Sequence, residues 1–107
     1  DTQTQRNFTM PIKVVRKNTS PYKTGPNKGV SVGQAHCSQN GYALIVSETV
    51  GLPGVVCVSF SSSAVVEVKT IEEGIDVARA IFKKQTKPYY PDMAKIAEKH
   101  LKKMGRA

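Results

Sequence analysis

The chain has 107 residues, of which 39% are hydrophobic and 22% charged, as expected for one globular domain with its own core and unlike a disordered or disulfide-stapled chain. Its net charge of +8 suits a polyanionic partner or an acidic protein surface. No apolar run reaches the roughly 18 residues of a membrane-spanning helix.

The charge is unevenly placed. Residues 1–29 carry Arg6, Lys13, Arg16, Lys17, Lys23 and Lys28 against Asp1 alone. Residues 30–82 are mildly acidic, with Glu48, Glu67, Glu72, Glu73 and Asp76 outnumbering Lys69 and Arg79. Residues 83–107 turn basic again, eight cations against Asp92 and Glu98. A single domain over 1–107 is expected, with 1–7 a flexible arm. The chain begins at Asp1 rather than Met, as a trimmed or processed chain would.

The first predicted element is a strand over 8–17. Phe8, Met10, Ile12 and Val14 alternate with Thr9, Lys13 and Lys17, the period of a half-buried strand, and Pro11 marks an edge or a bulge. A basic connector follows over 18–29, punctuated by Pro21, Gly25, Pro26 and Gly29 and carrying Tyr22, Lys23 and Lys28. It resembles a phosphate-gripping glycine loop only superficially, because a strand and not a helix N-terminus is predicted next, over 29–34. Asn40-Gly41 then predicts a tight hairpin, since both central positions of such a turn take positive φ. Strands are expected over 42–47, 55–60 and 64–69, separated by the Gly51–Gly54 turn and by Ser61–Ser63. Connections this short imply antiparallel pairing.

At Thr70 the period changes. Ile71, Ile75, Ala78 and Phe82, widened by Val77 and Ile81, recur at helical spacing behind a Thr70/Glu73 capping box. Glu72, Glu73 and Asp76 complement the positive end of the helix dipole, and Lys83 and Lys84 the negative end. Pro88 stops this helix and Pro91 opens a second. Its apolar stripe is Met93, Ile96, Ala97, Leu101 and Met104, closed by Gly105 as the C-terminal cap. The expected fold is α+β: an antiparallel sheet of about five strands followed by two C-terminal helices packed on one face.

Motifs for chemistry are sparse. His36 and Cys37 are adjacent on an extended segment and point to opposite faces, so one cannot deprotonate the other. The two Cys and two His lack zinc-site spacing, and the carboxylates are explained by helix-end electrostatics. Cys57, within Val55–Val58, reads as a buried free thiol, with a bond to Cys37 as the alternative. No catalytic residue, cofactor site or metal site is assigned.

The basic constellation is better founded. Lys95, Lys99, Lys102 and Arg106 fall at i, i+4, i+7 and i+11 of the second helix, with Lys103 beside them and Lys83, Lys84 and Lys87 close in sequence. Together with Lys13, Lys17, Lys23 and Lys28 they form the expected binding set, with Tyr22 able to stack a base. Tyr89 and Tyr90 stand as either a second stacking site or a hydrophobic staple. The expected function is a non-enzymatic module for RNA or single-stranded DNA. The alternative is a coat or linker subunit docking on acidic neighbours or on itself; a sheet followed by paired C-terminal helices resembles the layout of some RNA-phage coat proteins, without a shared motif. A third reading, a secreted basic enzyme or toxin using His36 or His100 with Glu48, lacks an acid/base pair that spacing can place.

Overall fold

The computed structural model describes residues 12–105. The N-terminal arm, the Phe8, Met10 and Pro11 portion of the first predicted strand, and Arg106 lie outside the described residues. Among the described residues five strands form one antiparallel meander in sequence order: β1 (Lys13–Asn18), β2 (Gly33–Gln39), β3 (Tyr42–Glu48), β4 (Val56–Phe60) and β5 (Ser63–Val68). Two helices follow, α1 (Ile71–Lys84) and α2 (Tyr90–Lys103). The α+β layout is the one expected.

One strand is displaced from its predicted place. The β-branched pair Val30 and Val32 drew the second strand to 29–34, but the paired segment is Gly33–Gln39. There Ala35 and Cys37 are fully buried while Gln34, His36 and Ser38 face the other way. Small inward residues make this alternation quiet in hydrophobicity, yet pairing on both sides fixes it: His36 lies between Val15 of β1 and Ile45 of β3.

Turn chemistry sets the register. Asn40 and Gly41 both take positive φ, 58° and 85°, closing the two-residue β2–β3 hairpin. The β4–β5 hairpin does the same with Ser61 and Ser62, at 51° and 70°, a conformation that serine adopts only at a cost. A bulge in β5 opposite Val58/Ser59 follows directly.

The core lies between the sheet and the helices. Leu44, Val46, Val58, Val77, Ile81, Phe82 and Met93 are almost wholly buried there. α1 lies against β2 to β5, and α2 packs on α1 and β5. Gly74 allows the closest approach, because a Cβ on it would overlap Cγ1 of Val46. At the start of α1 the Thr70 hydroxyl accepts the Glu73 amide at 3.0 Å. The reciprocal bond is offset by one residue: the Glu73 carboxylate accepts the amide of Lys69, at 2.8 Å. α2 ends as expected at Gly105, φ 74°. Met104 departs from its predicted core place; as the C-cap residue it has left the helical stripe and is 42% exposed.

The turn between the helices is knotted to the hairpin end of the sheet. The Tyr42 hydroxyl donates to the Gln85 carbonyl at 2.6 Å, and Asn40 Nδ2 donates to the Phe82 carbonyl at 3.0 Å. Gln85 itself is buried and donates through Nε2 to the carbonyls of Lys87 and Tyr89. Tyr90 ties α2 to the edge strand through a hydrogen bond to the Ala64 carbonyl, whereas Tyr89 stays exposed.

Candidate nucleic-acid interface

Strand parity decides where the first group of lysines goes. Val14 packs into the core, and Arg16, on the same side of β1, pairs with Glu72 of α1. Lys13, Val15 and Lys17 therefore project from the face that the helices leave uncovered. Across that face, registered neighbours run Lys17, Gln34, Ser47, Cys57 and Glu67 in one row, and Val15, His36, Ile45, Ser59 and Ala64 in the next. The surface is built mainly of small and polar groups, with Val15 and Ile45 apolar among them; its cations are on β1 and, among the described residues, its one carboxylate in these rows, Glu67, is on β5 at the far end of the sheet. Among the described residues of these two rows there is no Phe, Tyr or Trp.

The connector beyond β1 is not a slack loop. Thr19 and Val32 exchange two bonds, Thr19 N–H to the Val32 carbonyl and Val32 N–H to the Thr19 hydroxyl. Higher up, the Tyr22 amide donates to Val30 and the Gly29 amide to Tyr22, at 3.1 and 2.8 Å. Gly25 and Gly29, both at φ 84°, allow the turns between. The segment is thus a zipped extension of the β1–β2 hairpin, with Lys23 and Lys28 exposed and the Tyr22 ring 46% exposed. At its base the Gly33 amide donates to the Glu48 carboxylate at 2.8 Å, so this acid is occupied by the backbone.

The second group of lysines lies in the other layer. Lys95, Lys99, Lys102 and Lys103 are all exposed along α2, on the helix side of the sheet. The two groups expected to act together consequently occupy opposite layers of the fold. Comparison with family models, curated proteins and solved structures finds no match for this chain.

The reactive side chains do not converge. His36 sits on the uncovered sheet face with Nε2 3.2 Å from Gln34 Oε1. Desolvation, and then the neighbouring Lys17 charge, hold its imidazole below the usual value. Cys37 is buried beneath the helices, and that burial raises its thiol above the ordinary range against the weaker pull of Arg79 and Arg16. Cys57 faces the other way and is only partly buried, short of its expected burial; its Sγ lies 3.5 Å from Ser59 Oγ. Both thiols are free, as their opposite facing requires. His100 lies between the helices, remote from His36 in layer. Among the described residues no cluster of three or more His, Cys, Asp or Glu is placed to hold a metal. No helix there is long and apolar enough to cross a membrane.

Lys13 and Lys17 were legible as outward from period two alone. Gln34, His36, Ser38 and Ser47 were missed as parts of the same face. The signal was present: a two-residue Asn-Gly turn pairs Gln39 with Tyr42, and counting back from it sets His36 opposite Ile45.

Proposed function

We propose that this chain is a non-enzymatic module that binds RNA or single-stranded DNA through the uncovered sheet face and the hairpin extension. One observation carries the reading. From Ile12 to Ser47 there is no acidic residue, and Lys13, Lys17, Lys23 and Lys28 of this segment stand exposed. Lys13 and Lys17 would hold phosphates along β1, Lys23 and Lys28 would continue the track onto the extension, and Tyr22 would stack one base. Gln34, His36 and Ser38 supply hydrogen-bonding groups beside the track. The α2 lysines add long-range attraction without sharing the surface.

The test is fluorescence anisotropy with labelled oligouridylate and oligothymidylate over a salt series. The logarithm of affinity should fall with the logarithm of salt by about 0.7 for each phosphate contacted. Lys17→Glu with Lys23→Glu should weaken binding far more than the same change at Lys83 and Lys102. Absence of binding at low salt overturns the proposal.

A second reading, an assembly subunit, is favoured by a different observation. Val15, Tyr22 and Val30 are each more than two-fifths exposed in the β1–β2 region, at 46, 46 and 43%. Such side chains suit burial against another subunit. Sedimentation showing a strict monomer at high concentration would remove it.

A further inference from the structure

On the helix layer, residues of α1 and α2 line a shallow cleft of about 230 Å³. Its apolar lining is Ala80 from α1 and Ile96 from α2, which contacts the core only in part. Four ammonium groups surround it: Lys84 from α1, and Lys95, Lys99 and Lys103 at successive turns of α2. No acidic residue is among the described residues that line it. His100 completes the wall, and its Nε2 is shut off from solvent without a hydrogen-bond partner among the described residues.

This chemistry differs from that of the sheet face. A phosphate backbone would gain from the lysines but would leave the apolar lining uncovered. A solvated helix face would intersperse carboxylates with the lysines, as i,i+4 pairing favours. An apolar lining bordered by cations on both helices is complementary to an amphipathic segment whose nonpolar stripe is flanked by carboxylates. We propose that the α1–α2 cleft docks an acidic amphipathic helix of a partner protein. An apolar side chain of the partner would seat over Ala80 and Ile96, with Glu or Asp on either side reaching Lys84 across the cleft and Lys95, Lys99 and Lys103 along it. The proposal does not rest on nucleic-acid binding, since it uses the opposite layer.

The experiment uses the whole chain and a synthetic peptide with Leu at i, i+3, i+4 and i+7 and Glu on the flanks, against a scrambled peptide of identical composition. Anisotropy should give affinity for the patterned peptide at least about tenfold above the scrambled one, because only the first presents stripe and charge together. Methyl resonances of Ala80 and Ile96 should shift on titration. Lys99→Glu with Lys103→Glu, both exposed positions, should weaken binding by about tenfold or more. Ile96→Ser, with the fold checked by circular dichroism, should weaken it while leaving the lysines in place. Lys17→Glu with Lys23→Glu, on the opposite layer, should weaken it far less than the α2 pair does. Equal binding of the scrambled peptide would reduce the cleft to a generic cation patch and overturn the proposal. So would unshifted Ala80 and Ile96 methyls, or displacement of the peptide from these residues by oligouridylate or by phosphatidylserine vesicles.

Discussion

The two basic regions of this molecule have the same sign of charge and little else in common. On the sheet side, cations sit on the outermost described strand and a backbone-zipped extension, beside a face mostly of Ser, Gln, His and Ala with Val15 and Ile45 among them. On the helix side they line a cleft with an apolar lining. Net charge treats the two alike. What separates them is the chemistry between the lysines, and that is set by strand parity in one region and helix spacing in the other. Flat and polar suits a phosphate track; grooved and apolar suits a side chain with carboxylate neighbours.

The largest expected effect comes from the core that both regions share. Phe82 is 2% exposed and packs its ring 4.9 Å from that of Tyr42. Phe82→Ala should cost about 3–5 kcal/mol of unfolding free energy in urea titration. Both binding activities should then fall together, in proportion to the unfolded fraction. Gly74→Ala should cost less, about 1–3 kcal/mol, because the added methyl must push α1 away from Val46. That displacement belongs to the helix layer, so oligonucleotide binding should survive it better than peptide binding. A mutant that lost both equally would break the distinction.

Charge removals sharpen it further. Lys13→Ala or Lys17→Ala should reduce the salt slope for oligouridylate by about 0.7 each and leave peptide affinity unchanged. Lys99→Ala should weaken peptide binding and lower oligouridylate affinity only slightly, with the salt slope nearly unchanged. The smallest effect concerns pH. The folded state holds the His36 imidazole below its usual value, so the unfolded chain binds the proton more readily. Stability should therefore decline slightly as pH falls through about 6.5, and level off below the folded value. Bound phosphates would reverse the sign at this site by favouring the imidazolium, so oligonucleotide affinity should rise over the same interval. His36→Gln should abolish both trends in thermal melts and anisotropy. A trend that persisted would place the titrating group elsewhere.

Much of this was legible in the residues themselves. Period two separated Val14 from Lys13 and Lys17, and the α1 stripe from Ile75 to Phe82 is the stripe that is buried. The β2 strand was misplaced because its inward residues, Ala35 and Cys37, are small and its outward ones polar, while Val30 and Val32 carry strong strand propensity into an irregular extension. The Ser61-Ser62 turn gave no sign of its positive φ, because serine has no preference that announces it. The candidate site was harder still. Each lysine group could be found along the chain, but their separation into opposite layers depends on which side of β1 meets α1, and this is decided by contacts between residues far apart, such as Arg16 with Glu72.

The knot around Gln85 has a consequence for the order of folding. Its bond from Tyr42 closes a separation of 43 residues, and those from Asn40 are of similar span. The helices can form their own turns early, from local bonds alone, but the turn joining them acquires its anchor only once the β2–β3 hairpin is in place. Tyr42→Phe removes one of these anchors, and it should speed unfolding while leaving the refolding rate nearly unchanged in stopped-flow measurements. The angle between α1 and α2, and with it the width of the cleft, would then be among the last features of the molecule to be set.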